Sequence, residues 1–161
     1  MYHVFNRGSR KGVLFDTCED YDAFVRLMEE ARRKRPMRIP AYCLMKTHLH
    51  FLLWPRNTED VPRFMKWLTA THAMRFHKRH GSKGTGAVYQ SRYVSKPIGD
   101  ARHYFTALRY VERNALEAGK VRRAEDWQWC SVWAGDQTNI FAVDEGPMRR
   151  PENWLQFIND L

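Results

Sequence analysis

The chain has 161 residues, of which 43% are hydrophobic, 14% aromatic and 28% charged, and its formal net charge at pH 7 is +9. This length predicts one globular domain, and the lack of an apolar run of about 18 residues argues against a membrane-spanning helix. The opening MYHVFNRGSRKG carries charge and glycine where a secretory signal needs an apolar stretch, so a cytoplasmic location is expected. The cysteines follow no CxxC pattern, which predicts buried free thiols at Cys18, Cys43 and Cys130.

The first elements along the chain are predicted to be a strand and a helix. Polar and apolar residues alternate from Tyr2 to Asn6, as in a short strand. Thr17 and Asp20 have the spacing of a capping box, and apolar residues then recur at helical spacing as far as Pro36. We therefore expect the first helix to begin just after Thr17.

A hairpin and a second helix are predicted next. The apolar runs IPAYCLM and HLHFLLWP are separated only by Lys46-Thr47, which is the pattern of two antiparallel strands and a tight turn. From Val61 to Phe76 the apolar residues recur at helical spacing, and this second helix is expected to end near Gly81.

The pattern then predicts another strand and a third helix. The segment AVYQSRYVSKPI, which ends just before Gly99, is typical of a strand. An apolar stripe from Tyr104 to Ala115 indicates the third helix, with Gly119 as its C-terminal stop. Hairpin strands with helices between them favour an α+β sandwich on a mainly antiparallel sheet. The tail from Lys120 has no clear periodicity.

Positive charge is concentrated between residues 61 and 99, where eight Lys and Arg residues alternate with aromatic residues and no Asp or Glu occurs. Cationic side chains displace counterions from phosphates, and exposed rings stack on unpaired bases, so this composition favours single-stranded nucleic acid as a partner. A solvated basic helix with aromatic core residues would have the same composition. The candidate DNA-binding residues are Arg63, Lys66, Arg75, Lys78, Arg79, Lys83, Tyr89 and Arg92.

The histidine pair His48 and His50 is a candidate metal site. On a strand, residues i and i+2 point to the same face, about 6 to 7 Å apart, so both imidazoles can reach one divalent cation. Histidine is a common ligand of transition metals, but paired histidines on a half-buried strand also satisfy ordinary hydrogen bonds. The remaining histidines of the basic segment are interpreted as helix-surface or phosphate contacts: His72, His77 and His80.

Tyr110 and Asn114 are four residues apart on the third predicted helix and therefore lie on one face. An asparagine oxygen could complete a metal site with the two histidines, and a phenol beside it could attack a phosphorus atom. The alternative is a structural one, in which Tyr110 caps the core with its hydroxyl in water and Asn114 helps to end the helix.

Several blocks of the sequence together resemble the REP-associated tyrosine transposases, a branch of the single-tyrosine HUH transposases. The blocks are the HLH strand after AYCLM, the run WLTATHAMRFHKRHGSKGTGAVYQSRYVSKPI, and LRYVERNALEAGKV followed by AEDWQWCSVW. They occur in the family's order and extend from Tyr2 to about Trp133.

This resemblance implies a ferredoxin-like α+β fold and a DNA-processing activity in bacteria, close to the nucleoid. It implies that His48, His50 and Asn114 bind a divalent metal ion, Mg²⁺ or Mn²⁺. Tyr110 would form a 5′-phosphotyrosine link to single-stranded DNA and leave a 3′-hydroxyl. The implied substrates are palindromic repeats folded as hairpins, and the implied state is a monomer or a homodimer.

The expected organisation is an HUH core over residues 1–119 and a tail over residues 120–161. The tail is expected to pack on the core and is a candidate for further DNA contacts. Its tryptophans are expected to pack rather than to stack on bases, because buried tryptophans commonly anchor such tails: Trp127, Trp129 and Trp133.

Two other functions remain open from the sequence. The basic segment alone would also suit a non-catalytic protein that binds structured single-stranded DNA or RNA. A phosphodiesterase that activates water with the histidine pair would also fit, and it would leave no protein attached to its product.

Overall fold

A computed structural model describes residues 1–133, 135–136 and 141–160 of the chain. In chain order the elements are β1 (Tyr2–Arg7), α1 (Cys18–Lys34), β2 (Arg38–Met45), β3 (His48–Trp54), α2 (Asp60–His80), β4 (Val94–Pro97), α3 (Ala101–Glu117) and α4 (Trp154–Asn159). Short 3₁₀ turns lie at Ser9–Lys11 and Ala124–Asp126. No helix of the described part is long and apolar enough to cross a membrane.

The strands form one antiparallel sheet in the order β2-β3-β1-β4. The predicted hairpin is confirmed, with Met45 opposite His48 and only Lys46-Thr47 between the strands. With α1 between β1 and β2 and α2 between β3 and β4, this is the connectivity of a ferredoxin-like fold. The expected α+β sandwich is therefore confirmed.

The predicted helix boundaries follow from capping residues. The Thr17 hydroxyl accepts from the backbone N–H of Asp20, and the Asp20 carboxylate accepts from the backbone N–H of Thr17, so the capping box is formed. At the C-terminal end of α2, Gly81 takes a left-handed conformation with φ of 59°. A residue without a Cβ adopts this conformation at little cost, and it ends the helix.

The sheet separates two hydrophobic layers. Leu49, Phe51 and Leu53 of β3 point into the layer that α1 and α2 cover. The alternate residues of β3 face α3, where Leu52 enters the second core. This alternation brings His48 and His50 to the α3 side of the sheet, and it is the step that positions the candidate site.

The tail residues that follow α3 pack on this scaffold. The Trp129 ring stacks on Tyr21 with a centroid distance of 4.8 Å, and Trp127 Nε1 donates to the carbonyl oxygen of Leu44 at 2.9 Å. Packing is thus confirmed for these two tryptophans. The fully buried carboxylate of Glu112 on α3 accepts from Ser131, Arg150 and Trp154, which ties the tail to α3.

Three expectations were wrong. The strand predicted over residues 87–98 is limited to Val94–Pro97, because residues 87–93 form only an isolated bridge between Tyr89 and Gly8. Cys18 is exposed at the start of α1, whereas Cys43 and Cys130 are buried as expected. His72 is expected to be a helix-surface or phosphate contact, yet it is buried with 7% exposure, because its side of α2 faces α1.

Candidate active site

The predicted histidine pair and Asn114 meet between β3 and α3. His48 Nε2 lies 2.9 Å from Asn114 Oδ1, and Asn114 Nδ2 lies 3.4 Å from His50 Nε2. The strand alternation turns both imidazoles towards α3, and α3 packs across β2 and β3, so the amide arrives between them. The structure therefore brings together all three residues that the sequence analysis named as metal ligands.

Tyr110 lies one helical turn before Asn114 on the same face of α3. Its ring centroid is 5.4 Å from the His50 ring and 5.5 Å from the His3 ring. With 43% of its surface exposed, the tyrosine is accessible to a macromolecule in solvent. A tyrosine that caps the core with its hydroxyl in water would show the same partial exposure, so the contact with the histidines is what distinguishes Tyr110.

The donor set of His48, His50 and Asn114 fits a divalent cation. In an octahedral site with bonds of about 2.1 Å, neighbouring ligand atoms are about 3 Å apart, which matches the 2.9 Å between His48 Nε2 and Asn114 Oδ1. Among the described residues there is no group of three or more His, Cys, Asp and Glu that could hold a metal. An ion at this site would therefore depend on the amide, with water or phosphate oxygens as its further ligands.

Both histidines are neutral at physiological pH, which metal ligation requires. Burial, followed by the nearby His3, His48 and Arg7, lowers the pKa of His50 to about 2. Burial also lowers the pKa of His48, although its hydrogen bond to Asn114 acts in the opposite direction. The Thr47 hydroxyl lies 3.3 Å from His48 Nδ1, so the residue of the turn gives the second ring nitrogen of His48 a partner.

His3 belongs to the site, although the sequence analysis assigned it no role. Its Nε2 lies 3.1 Å from Nδ1 of His50, and burial, together with the charge of Lys96, lowers the pKa of His3 to about 4. The two residues meet because β1 pairs with β3 in the register His3 to Leu52 and Phe5 to His50. Alternation within β1 was the only sequence signal, and it does not state which residue of β3 lies opposite.

The sheet beside this site is open and cationic. All four residues of β4 are exposed, and Lys96 lies opposite His3 in the pairing of β4 with β1. The Lys96 ammonium is 5.6 Å from the centre of the Phe5 ring, and Arg7 is exposed at the end of β1. Positive charge thus lies beside His3, through Lys96, and beside His48, through Arg7.

The candidate DNA-binding residues divide into separate groups. Arg63, Lys66, Tyr89 and Arg92 line one cavity of about 570 Å³ between α2 and the segment before β4. This cavity lies on the α2 side of the sheet, opposite the histidines. Lys78 and Lys83 are exposed near the C-terminal end of α2.

Carboxylates from other parts of the chain reduce the charge of the basic segment. Arg75 pairs with Glu30 at 2.9 Å and Arg79 with Asp20 at 3.3 Å. Arg63 pairs with Glu59 at 3.1 Å. The sequence count could not show these pairs, because their carboxylates lie outside residues 61–99.

Tyr89 lines this cavity, and its hydroxyl is engaged by a neighbouring histidine. That hydroxyl shares a hydrogen bond of 2.5 Å with Nδ1 of His72, and burial raises the pKa of Tyr89. The charged side chains that line this cavity are those of Arg63, Lys66 and Arg92.

Comparisons with solved structures agree with this architecture. One is described as a REP-associated tyrosine transposase bound to a REP hairpin; it is 20% identical, with a TM-score of 0.66, covering 89% of this chain and 90% of that chain. Another is a candidate transposase from Deinococcus radiodurans R1, 17% identical, with a TM-score of 0.50, covering 74% of this chain and 88% of that one. At these identities the similarity shows a shared fold.

Sequence comparison identifies the family. A comparison with curated proteins gives no match. The family profile described as transposase IS200 like matches residues 1–114, which include β1, the histidine strand and α3 as far as Asn114. This match and the shared fold confirm the resemblance that the sequence motifs indicate. The chain therefore belongs to the IS200-like transposase family.

Proposed function

We propose that the protein is a metal-dependent endonuclease and strand transferase that cleaves single-stranded DNA beside palindromic hairpins through Tyr110. The observation that supports this most directly is that the phenol of Tyr110 lies beside two neutral histidines and the Asn114 amide. The Tyr110 ring is 5.4 Å from the His50 ring, and Asn114 contacts both His48 and His50. Membership of a transposase family supports the DNA-processing role.

In the proposed reaction Tyr110 is the nucleophile. Its phenolic oxygen bonds to phosphorus as the bond from phosphorus to the 3′-oxygen breaks, giving a 5′-phosphotyrosine and a free 3′-hydroxyl. The phenolic proton passes to solvent, and the departing 3′-oxygen takes up a proton. Because the phosphotyrosine retains a phosphodiester bond, a 3′-hydroxyl can attack it and join the strands again.

His48, His50 and Asn114 hold the ion in this proposal. A bound Mg²⁺ or Mn²⁺ would neutralise charge on the phosphate oxygens. His50 supplies Nε2, while its Nδ1–H donates to His3. The Asn114 amide lies on the same helical face as Tyr110, so the residue that completes the donor set also fixes the distance to the nucleophile.

The substrate is proposed from the charge distribution and from the solved relative. That relative is bound to a REP hairpin. In this chain Lys66 and Arg92 line one cavity and suit the phosphates of a stem, whereas the charge of Arg63 in the same cavity is reduced by Glu59. Lys96 and Phe5 beside the active site suit a single strand, since cations follow its backbone and rings stack on its bases.

One chain contains every group that the proposed cleavage needs, so we propose that a monomer cleaves DNA. We also propose that the tail over residues 120–161 is part of the same functional unit as residues 1–119. The basis is Glu112, which lies on the helix of Tyr110 and binds Ser131, Arg150 and Trp154 of the tail.

Covalent capture tests the proposal. A hairpin made from inverted repeats beside the coding region, with its single-stranded flanks, is incubated with Mn²⁺ after labelling at either end. A 3′ label should enter an adduct that survives SDS, and a 5′ label should appear in a shortened free strand. Tyr110→Phe should abolish the adduct and retain binding, whereas Tyr2→Phe, a matched change on β1, should retain both.

The other functions give different results in this experiment. A non-catalytic binding protein would retain the hairpin without any cleavage. A phosphodiesterase that activates water would give shortened strands of both labels without protein attached. An adduct that persists in Tyr110→Phe would show that another residue is the nucleophile and would refute the assignment.

A further inference from the structure

We propose that a groove between α3 and α4 binds the single-stranded DNA flank next to the scissile phosphate. The groove has a volume of about 520 Å³, which is in the range of sites that hold small molecules. Tyr110 forms part of its wall. This inference rests on the proposed function, because it treats Tyr110 as the point where the strand is cut.

Two different faces of α3 carry polar side chains, and one of them lines the groove. Tyr110 and Asn114 lie on the side of the helix that faces the histidines. Arg102, Thr106 and Arg109 recur at helical spacing on the solvent side and line the groove. Tyr110 lies at the border of these two faces, so a strand attached to the reacting phosphate can leave the active site directly into the groove.

The groove is cationic. Between residues 1 and 160, leaving aside 134 and 137–140, no carboxylate forms an ion pair with Arg102 or Arg109. The Arg109 guanidinium donates to the backbone carbonyl oxygens of Phe157 and Asp160, which orient it but leave its charge in place. The charge of Arg113, in contrast, is balanced by Glu117 at 3.0 Å. The charge that remains favours a polyanion.

An exposed aromatic ring completes the groove. Phe157 of α4 is 47% exposed, although large apolar side chains are usually buried, and it lines the groove beside Arg109. The Arg109 guanidinium lies 5.0 Å from the centre of this ring, and this contact restricts the orientation of the ring. A fixed ring next to a cation is the combination with which proteins bind single strands without reading their sequence.

Charge complementarity selects nucleic acid as the occupant rather than a second copy of this chain. The whole protein carries a net charge of +9, so a second copy would bring further positive charge against Arg102 and Arg109. A phosphodiester strand brings negative charge and bases together, and the proposed reaction already places such a strand at Tyr110. The groove therefore suits the flank on one side of the cleavage position.

Binding measurements without cleavage test this inference. Tyr110→Phe is the background for all variants, and fluorescence anisotropy measures the Kd for three hairpins: one with both flanks, one without the 5′ flank and one without the 3′ flank. Phe157→Leu, which keeps apolar packing but removes the stacking ring, should weaken binding of the full substrate about fivefold or more. Phe157→Tyr should restore it, and Arg102→Ala should also weaken it.

The truncated hairpins make the result specific. The effects of Phe157→Leu and Arg102→Ala should vanish for the hairpin that lacks the bound flank and persist for the other, which also identifies the side that the groove holds. Leu155→Ala and Lys120→Ala are matched controls at exposed positions outside the groove, and they should leave the Kd unchanged.

Two outcomes would overturn the inference: an unchanged Kd for the full substrate in both groove variants, or equal losses with all three hairpins. Because these measurements need no cleavage, they remain valid if covalent capture fails. Failure of the groove is therefore distinguishable from failure of the proposed reaction.

Discussion

His3 provides the sharpest test of how the candidate metal site is built. Asn114 Nδ2 donates to His50 Nε2, which assigns the ring proton of His50 to Nδ1. That Nδ1–H donates in turn to His3 Nε2 across 3.1 Å. His3 therefore holds His50 in the tautomer whose Nε2 lone pair faces Asn114 and His48, and His3→Leu should release it.

The size of the effect follows from this geometry. A leucine leaves the Nδ1–H of His50 without an acceptor in a buried position, since His50 is only 4% exposed. Loss of such an orienting partner typically weakens metal binding about 10- to 100-fold, or about 1.4 to 2.7 kcal/mol. We expect this loss for Mn²⁺ in the purified full-length chain.

Electron paramagnetic resonance of free Mn²⁺ during a titration measures the affinity directly, without any DNA. His3→Gln should recover much of the affinity, because its amide oxygen can accept the same hydrogen bond. His77→Leu is the matched control, since His77 lies on α2 and contacts Ser82 instead. Equal Mn²⁺ affinity in His3→Leu and in the unmodified chain, with both folded by circular dichroism, would refute the role of His3.

Two further predictions concern stability. Glu112→Ala should lower the free energy of unfolding in urea by about 3 kcal/mol, because it leaves the guanidinium of Arg150 without its buried partner. A loss below about 1 kcal/mol would show that Glu112 does not hold the tail. Burial lowers the pKa of His72 from its usual 6.5 to about 4. Between pH 6.5 and pH 4 this histidine is therefore protonated in the unfolded chain but neutral in the folded one. The free energy of unfolding should consequently fall as the pH decreases from 6.5 to 4. His72→Gln should flatten this part of a plot of Tm against pH, and a parallel plot would contradict the reasoning.

The location of the tail gives α3, the helix of Tyr110 and Asn114, a second set of contacts. On one side α3 packs against β2 and β3, and on the other side Arg109 and Arg113 donate to backbone carbonyl oxygens near the end of α4. Glu112 adds the buried contacts to Arg150 and Trp154. These contacts hold Tyr110 beside the histidines of its own chain, in agreement with the proposed monomer.

Local patterns predicted the elements whose residues interact with near neighbours in sequence. The capping box at Thr17 and Asp20, the hairpin around Lys46-Thr47 and the stop at Gly81 each depend on contacts within a few residues. The faces of the site residues were predictable for the same reason. Strand alternation pairs His48 with His50, and helical spacing pairs Tyr110 with Asn114.

The sequence alone did not predict features that depend on contacts between distant segments. Residues 87–93 have the composition of a strand, yet they form a single bridge to Gly8, because the ordered pairing of β4 with β1 begins only at Val94. The short helix α4 is stabilised by packing against α3, because an isolated helix of six residues is not stable in water.

By itself the sequence determined which chemical groups the chain carries and which face of its own strand or helix each one occupies. Only the tertiary structure decided that β1 pairs with β3 in the register that brings His3 to His50. It also decided that carboxylates from α1 pair with Arg75 and Arg79, and that α4 places Phe157 beside Arg109. The physical reason is that periodicity orients a side chain within its own element, whereas strand register and helix packing depend on the burial of the whole core.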